Sequence, residues 1–275
     1  MLSALTSSLS TLWRSQDSRL YIDKIFVRSG RYANWEPARE IQLGDYGEID
    51  RSSGEFHKRG NIFVDPMTKD LVSEFTIKDG ATDDKQIFVS LGTSKLDFEA
   101  GPTVDLGGLA DASIKEQFEF TRSRGAALVM HQPTPKSLEG NFEVLPKDHL
   151  RGMYLVTEVT VCPDYFMFLS EKTTGTLKLV LQASCPIIGA AVGGEAGAAW
   201  QHKGVGGVCK HGTSQTYTPL YYAKKIDRRV NARRGFEKHD PNEYWMPSTP
   251  PWKALDSDGE EELSDSDDEE DEAED

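Results

Sequence analysis

Two segments in the middle of the chain alternate apolar and polar residues with a period of two. In 176–182 leucine occupies every second position and Lys178 lies on the opposite side of an extended chain, while in 153–161 the apolar side lies opposite Glu158. This period is typical of β-strands with one buried face. We predict that the two segments pair as a long hairpin. The positions on its apolar face are Met153, Leu155, Val159, Val161, Leu177, Leu179 and Leu181.

A second hairpin is predicted on the N-terminal side of the first. Its outgoing part covers 86–91 and 96–98, and its return covers 116–130, where Arg122 and Arg124 interrupt the apolar side. Both hairpins fit a sheet with one face on a protein core. They also fit a sheet whose apolar face can move from the protein core into lipid, because about 9 to 11 residues of alternating strand are enough to cross a bilayer. The apolar positions of this second hairpin are Ile87, Val89, Leu91, Phe118 and Phe120.

The N-terminus carries an apolar stripe at helical spacing, since Leu2, Leu5, Leu9, Leu12 and Trp13 recur three or four residues apart or adjoin one another. This pattern predicts an amphipathic helix. Three interpretations of its apolar face remain open: it packs on the protein's own sheet, it lies on a lipid interface, or the segment is a weak mitochondrial presequence.

The segment after this helix is predicted to be a β-strand. Residues 20–28 are rich in Ile, Tyr, Phe and Val, and 41–49 is the expected partner strand. A Trp flanked by Arg in the connecting loop, 29–39, suits the boundary between lipid headgroups and acyl chains. A Trp folded back on the sheet fits the same pattern. The candidate membrane-contacting residues of this loop are Arg31, Tyr32, Trp35 and Arg39.

A basic segment follows the last predicted strand, 217–222. The spacing of Ile226 and Val230 predicts a basic helix. Such a helix forms a solvated face, a docking surface for the acidic tail, or a polybasic patch for anionic lipid that contributes about 1 kcal/mol per cation near the surface. Its basic residues are Lys224, Lys225, Arg228, Arg229, Arg233 and Arg234.

Charge divides the chain into a balanced body and an acidic tail. The formal net charge is −14, yet residues 256–275 alone hold fourteen acidic residues and no basic one. Cutting after Phe236 leaves 29 basic and 28 acidic residues, whereas 237–275 carry a net charge of −15. One cut between Phe236 and Glu237 therefore converts a protein that anionic membranes repel into one that they attract. Acidic tails also serve simply as solubilising or interaction segments.

The sequence offers no catalytic or metal-binding pattern. Three cysteines, Cys162, Cys185 and Cys209, are too few and odd in number for a disulfide framework, which favours a reducing compartment. Paired carboxylates, a Ser-His-Asp order and a phosphate-binding loop are absent, and so are a secretory signal and a spanning run of about 18 apolar residues. We therefore expect no enzyme activity, no cofactor, no metal and no nucleic-acid partner, and we expect any membrane contact to be conditional.

Two short motifs resemble the pore-forming domain of the gasdermin family. Residues 153–159, Met-Tyr-Leu-Val-Thr-Glu-Val, resemble the strand that begins the second membrane hairpin, and 35–39, Trp-Glu-Pro-Ala-Arg, resemble the aromatic-tipped loop after the first strand. Their order and spacing are similar over residues 1–236, and the short tail resembles that of the fungal gasdermin-like heterokaryon-incompatibility proteins. The chain departs from the family in having a single Trp in the loop, with Glu36 beside it, and in lacking a large inhibitory domain.

The resemblance implies an α+β fold. The expected architecture is a twisted, mostly antiparallel sheet with an N-terminal amphipathic helix and surrounding short helices, followed by a disordered acidic C-terminal tail. Residues 1–236 would form the pore-forming domain, and 237–275 would form a Pro-containing linker and an inhibitory tail.

The resemblance also implies a function. The two hairpins would insert into a membrane of anionic phospholipid, and ring-shaped homo-oligomers would permeabilise it and cause regulated cell death. The latent protein is expected in the cytoplasm and the active protein at the plasma membrane or a mitochondrial membrane. Activation is expected from a subtilisin-like protease that cuts between Phe236 and Glu237. Two alternatives are association with a variant homologue without cleavage, and a soluble interaction module whose hairpins never leave water.

Overall fold

The computed structural model describes most of the chain. The structure describes residues 2–73, 75–97, 114–121, 123–181, 194–195, 198–213, 215–226, 245–256 and 258–262. At 2–15, 194–195, 198–199 and 226 it describes the backbone but not the side chains.

One long helix, α1 (Leu2–Ser29), forms the N-terminus. The predicted helix therefore exists, but the strand predicted over 20–28 is wrong because α1 continues through it. Ser18, Tyr21, Ile22 and Ile25 are buried at the spacing of one helical face, so packing on the sheet favours the helix over the β-propensity of this segment. The helix ends at Ser29, and the following Gly30 has a φ of +67° and donates its N–H to the carbonyl of Phe26 at 2.8 Å.

Elsewhere in the described ranges the regular structure is mostly β-strand, and the pairings between these strands are antiparallel. A 3-10 turn at Phe142–Val144 is the short helical element of this part of the chain. The strands are β1 (Tyr32–Ala33), β2 (Asp45–Ile49), β3 (Phe56–Asn61), β4 (Thr76–Asp79), β5 (Lys85–Val89), β6 (Thr93–Leu96), β7 (Ile114–Phe120), β8 (Ala126–His131), β9 (Thr134–Glu139), β10 (Tyr154–Cys162), β11 (Asp164–Ser170), β12 (Gly175–Leu181), β13 (Gly194–Glu195), β14 (Ala198–Lys203), β15 (Gly207–Gly212), β16 (Tyr217–Ile226) and β17 (Trp245–Pro247).

Strand β10 is the centre of the main sheet. It pairs with β16 along one edge and with β2 and β9 along the other, and β3, β4, β1 and β17 extend the sheet outward. The predicted pairing of 153–161 with 176–182 is therefore wrong. The alternation of residues identifies a strand, but it does not identify the partner of that strand. Leu155 and Val159 belong to the large core under α1, against which Met153 and Val161 also pack, so these four residues lie outside the hairpins.

Two long antiparallel ribbons form the other two sheets. The first ribbon runs out through β5 and β6 and returns through β7 and β8, and the second runs out through β11 and β12 and returns through β14 and β15. The proximal sheet has the order β15-β11-β8-β5, and the distal sheet has the matching order β13-β14-β12-β7-β6. The two ribbons therefore run side by side as they cross from the proximal sheet to the distal sheet.

The distal sheet packs face to face on the proximal sheet. Phe118 and Phe120 of β7 are fully buried against Phe166 and Phe168 of β11, and the Phe120 and Phe168 ring centroids lie 5.2 Å apart. The other face of the proximal sheet, which includes Leu128, joins the large core. The described residues thus form two apolar cores, and the second core lies inside the bend of the ribbons.

Four bends lie between the proximal and distal sheets: β5 to β6, β7 to β8, β11 to β12, and β14 to β15. Hydrogen bonds join these bends to one another. Ser170 donates its N–H to the carbonyl of Gly125 at 2.8 Å and accepts the Gly125 N–H on its hydroxyl at 2.7 Å. Glu171 and Gly206 are joined by a backbone bond of 2.8 Å, and Thr121 and Gly92 by one of 3.0 Å. These bonds stabilise the bend at which each ribbon folds back on itself.

The fold class is confirmed in outline as a mostly antiparallel sheet structure with an N-terminal helix. The expectation of a disordered tail is wrong for 245–256 and 258–262, which lie against the folded body. Within the described ranges, no helix combines the length and the apolar character needed to cross a bilayer.

The second core yields a stability prediction. Phe120→Ala should lower the free energy of unfolding by about 3 to 5 kcal/mol, since it removes a fully buried ring. Leu91→Ala is the control, because Leu91 is 72% exposed at a bend and its loss should change stability by less than about 0.5 kcal/mol. Urea denaturation measures both variants, and equal midpoints for the two would show that the ring does not contribute to a packed core.

Candidate functional site

The C-terminal segment adds a strand to the main sheet. Strand β17 pairs with the last residues of β16, so that Lys224 lies beside Pro247 and Lys225 beside Met246. Trp245 is buried and donates its indole N–H to the carbonyl of Phe142 at 2.9 Å. This is the first of two Trp anchors that hold the segment on the body.

The second anchor is Trp252. Its ring is buried against α1, and its Nε1 donates to Asp23 Oδ1 at 2.8 Å. A Cβ placed on Gly54 would lie 3.0 Å from the Trp252 ring and 3.0 Å from Ile22, and the φ of Gly54 is +74°. Only glycine fits there without displacing a neighbour. Burial raises the pKa of Asp23, and the hydrogen bond from Trp252 opposes that rise.

Beyond Trp252 the chain forms an acidic turn, which consists of Asp256 and residues 258–262, on α1 and on the 50–54 turn. Arg51 binds the Glu261 carboxylate with two nitrogens, at 3.0 Å from Nε and 2.5 Å from Nη2. Arg19 lies 3.7 Å from the same carboxylate and donates to the carbonyl of Gly259 at 2.5 Å. Gln16 donates to Glu260 at 2.6 Å. The acidic turn is therefore bound by particular side chains.

The ribbon bends contact both α1 and the acidic turn. Arg124, between β7 and β8, binds Asp17 of α1 at 2.5 Å and the carbonyl of Ser170 at 3.2 Å. Lys172, between β11 and β12, pairs with Asp258 of the acidic turn. One bend of each ribbon is thus tied to a neighbouring element by an ion pair.

The loop predicted to contact membrane is largely part of the core. Tyr32 is fully buried and stacks on Tyr221 at 5.3 Å, and Trp35 is 9% exposed, with its ring 5.5 Å from Tyr21. Lys210 of β15 lies 4.1 Å from the Trp35 ring centroid and donates to the Trp35 carbonyl. The prediction of an exposed aromatic tip is wrong for this state, because the ring has an apolar surface of its own protein to cover.

The two arginines of that loop are accessible. Arg31 is half-exposed and pairs with Glu158 at 2.9 Å. Arg39 is exposed, and its carbonyl accepts a hydrogen bond from Asn34 at 2.9 Å. The loop therefore presents cations to solvent while its aromatic rings are buried.

The predicted basic helix is wrong where the structure describes it. Lys224 and Lys225 lie on β16, with Lys224 Nζ 4.7 Å from the Phe142 ring centroid and Lys225 Nζ 4.3 Å from that of Tyr154. Strand pairing with β10 and β17 overrides the helical spacing of the segment. The rest of the predicted patch and the predicted cut fall outside the described residues: Arg228, Arg229, Arg233, Arg234, Phe236 and Glu237. The side chains of Leu2, Leu5, Leu9 and Trp13 do so too.

Leu91, predicted to lie on the apolar face of a hairpin, is instead exposed at a bend, and the other remaining hairpin positions line the second core. Ile87 and Val89 are half-buried there, and Leu177, Leu179 and Leu181 are fully buried.

A buried carboxylate interrupts this apolar set. Glu116 is 2% exposed and lies 2.7 Å from Lys85 of the proximal sheet and 2.8 Å from Lys95 of the distal sheet. Sequence reasoning missed this group because nothing local marks it as buried.

Sequence reasoning also missed the docking site of the tail. The available signal was the pair Trp245 and Trp252 in a Pro-rich linker, since Trp contributes much apolar area and is enriched where a surface is covered. The cations that receive the acidic turn carried no local signal, because Arg19, Arg51 and Lys172 are distant in sequence and only the fold brings them to one surface.

The chemistry of the described residues is otherwise sparse. Cys162 and Cys209 are free thiols, and burial raises the pKa of each to about 12. Within the described ranges, no group of three or more His, Cys, Asp or Glu side chains is placed to hold a metal ion.

A scan against protein-family models and a search of curated proteins each found no match to the chain.

The Trp anchors predict how the tail is released. Trp252→Ala should weaken docking by about 3 to 5 kcal/mol, because it removes a buried ring and its hydrogen bond. Met246→Ala is the control, since Met246 is 47% exposed on β17. Hydrogen exchange of 245–262 is the measurement. Equal protection in both variants would contradict an anchoring role for Trp252.

The acidic turn also predicts a pH dependence of docking. The hydrogen bond from Arg51 lowers the pKa of Glu261 below its ordinary value of 4.5. Docking is therefore supported by this pair at neutral pH and loses that support as the pH falls below about 4.5 and the carboxylate protonates. Pulsed hydrogen exchange of 256–262 between pH 7 and 3 should show this loss in the native chain, whereas Glu261→Gln should lack this component. Superimposable pH curves would contradict it.

Proposed function

We propose that the chain is a latent pore-forming protein whose two ribbons unbend and insert into an anionic membrane after its acidic tail is released. The observation that carries the proposal is the folding of both ribbons back on themselves around an apolar core. The proposed protein acts without catalysis or a cofactor, as a homo-oligomer in the membrane that causes regulated cell death.

The second core supports the proposal through its geometry. In a sheet that is folded over, the two inner faces become one continuous face when the bend is straightened. Straightening would place Phe118 and Phe120 on the same side as Phe166 and Phe168, together with the three leucines of β12. Such a face is apolar at these positions, as the lipid-facing side of a membrane strand must be, and the carboxylate of Glu116 lies among them.

The ribbons are also long enough. The shortest arm, β5 with β6, covers 85–96, which exceeds the about 9 to 11 residues that a tilted strand needs to cross the hydrocarbon layer. The arm formed by β11 and β12 covers 164–181. A single bend separates each arm into its two halves, so insertion requires no new strand pairing within a ribbon.

The contacts of the bends support a restrained state. Arg124 ties the first ribbon to α1, and Lys172 ties the second ribbon to the acidic turn. Between the sheets, Glu116 binds one lysine from each, and these ion pairs must separate for the ribbons to straighten. Loss of 237–275 would remove Asp258 from Lys172 and change the charge of the remaining chain from strongly negative to +1.

Cleavage of the intact protein tests the proposal. A protease recognition sequence placed between Phe236 and Glu237 of the full chain allows the folded protein to be cut in the presence of vesicles. We expect dye release from vesicles that contain phosphatidylserine or cardiolipin after the cut and none before it. Electron microscopy of these vesicles should show rings.

Two controls separate this from unspecific damage. Neutral phosphatidylcholine vesicles should stay intact, because the attraction depends on anionic lipid. Uncut full-length Trp252→Ala should release more dye from anionic vesicles than the uncut native chain and less than the cut protein, since it loses one of the two Trp anchors but keeps the acidic tail. If the cut protein leaves anionic vesicles intact, the proposed function is wrong.

Non-covalent docking of the tail favours one alternative route of activation. Residues 245–262 are held by one strand pairing, two Trp anchors and ion pairs on the protein surface, so a variant homologue that binds this surface would displace them without a cut. Leakage on mixing uncut protein with such a homologue would identify this route.

A further inference from the structure

Glu116 is a charged residue on an otherwise apolar face. It lies on β7 two residues before Phe118, on the side of the distal sheet that packs on the proximal sheet, and its side chain is 2% exposed. Lys85 of β5 and Lys95 of β6 bind its two carboxylate oxygens at 2.7 and 2.8 Å. A carboxylate at this depth requires such partners, because a buried charge without a partner is strongly destabilising.

The two lysines occupy different places along the first ribbon. Lys95 belongs to the same sheet as Glu116, since β6 pairs with β7 and Lys95 lies opposite Phe118. Lys85 belongs to the proximal sheet and is the first residue of β5, at the base of the ribbon. The contact between Lys85 and Glu116 therefore joins the far part of the ribbon to its base, and we call this contact the ribbon clasp.

A row of polar side chains crosses the base of the proximal sheet. Lys85, His131 and Asp164 lie opposite one another on β5, β8 and β11, and we call them the base row. His131 Nδ1 lies 3.0 Å from Asp164 Oδ2, and both residues are buried. The next row on the same side of the sheet belongs to the second core and consists of Ile87, Val129 and Phe166. The base row is therefore a polar border of that core.

Between the two lysines, the inward side of the outgoing strand carries no charged residue. Lys85 lies two residues before Ile87 of the second core, and Lys95 lies opposite Phe118 of the same core, so both lysines are on one side of the ribbon. The alternate positions between them are Ile87, Val89, Leu91 and Thr93.

The spacing of the two lysines matches the thickness of a bilayer. They are ten residues apart, which corresponds to about 33 Å of extended strand at about 3.3 Å per residue. A membrane strand tilted by about 40° places them about 25 Å apart along the membrane normal, which is the height of the apolar band of a transmembrane barrel. Straightening the ribbon would move Glu116 away from Lys85 by the length of this arm and would leave it beside Lys95.

We propose that these residues are the two polar borders of the first ribbon in the membrane. The base row stays at the headgroups of the near leaflet, and the pair of Lys95 with Glu116 reaches the headgroups of the far leaflet. The inference rests on the proposed function and assigns to it the depth of insertion. In the latent protein the ribbon clasp joins one border to the other, so a single carboxylate closes the ribbon before insertion and ends the apolar span after it.

A matched pair of substitutions distinguishes the two lysines. Lys85→Gln and Lys95→Gln remove the same charge from side chains that are 45% and 50% exposed. Lys85→Gln removes a contact that only the closed ribbon makes, so it favours opening. Lys95→Gln leaves Glu116 without a cation on the apolar side of the opened ribbon, so it opposes insertion.

The measurement is the rate of dye release from vesicles of phosphatidylcholine and phosphatidylserine after the full chain is cut between Phe236 and Glu237. We expect Lys85→Gln to release dye about fivefold faster than the native sequence, equivalent to about 1 kcal/mol for one ion pair. Lys95→Gln should release it at least about fivefold more slowly. Unchanged rates, or changes of both variants in the same direction, would overturn the proposal, because a merely structural role predicts a common sign.

Lys78→Gln is the control for both rates. Lys78 lies on β4, outside the ribbons, and pairs with Glu139 on β9. Its substitution removes one positive charge and one ion pair from the chain, as the two test substitutions do. The dye-release rate of this variant should equal that of the native sequence.

A fluorescent label at position 91 tests the depth of insertion directly. Leu91 is exposed at a bend of the latent protein and lies near the middle of the span between the two borders. Leu91→Cys is labelled in a chain that also carries Cys185→Ser, since burial raises the pKa of the Cys162 and Cys209 thiols to about 12 and makes them poor nucleophiles. After insertion, nitroxides at the ends of the acyl chains should quench the label more than nitroxides at the headgroups. The reverse order would overturn the two borders.

Hydrogen exchange in water separates the ribbon clasp from the proposed function. In the cut protein without vesicles, Lys85→Gln should increase exchange of β6 and β7 relative to Lys78→Gln. If exchange increases but the cut proteins release no dye, pore formation and the membrane borders are wrong while the clasp is supported. If the cut native sequence releases dye and exchange is unchanged, the clasp is wrong while the proposed function stands.

Discussion

The packing of the distal sheet on the proximal sheet is the contact on which the rest of the structure depends. Four strands bend together, and the rings of Phe118, Phe120, Phe166 and Phe168 meet inside the bend. This contact keeps an apolar face, long enough to reach across a bilayer, away from water. It also leaves the other face of the proximal sheet free to close the large core under α1, so one sheet serves two cores.

The bends of the ribbons are held by ion pairs in addition to the hydrogen bonds between them. Arg124 joins a bend to α1, Lys172 joins another to the acidic turn, and Glu116 joins the two sheets. Exposed ion pairs such as that of Lys172 with Asp258 contribute little to stability, about 0 to 1 kcal/mol each. Their position matters more than their strength, because apolar burial by the Trp anchors holds the tail in place and the charges determine where the turn lies.

Charge in the tail therefore has two separate effects. The excess of acidic residues sets the long-range field of the whole chain, which salt screens over about 10 Å. The Glu261 contact acts at hydrogen-bond distance on Arg51 and Arg19 and is far less sensitive to screening. A tail of the same net charge without the turn would retain the first effect and lose the second.

Local pattern by itself determined the elements that depend on local properties. The period of two placed Leu177, Leu179 and Leu181 on one buried face, helical spacing located the start of α1, and charge counting separated the acidic tail from the balanced body. Only the tertiary structure decided the partners of β10, the helical state of 20–28, the burial of Trp35 and the docking of Trp252 on α1. Each of these depends on contacts between residues far apart in sequence, because burial of a shared apolar surface outweighs the preferences of any one segment.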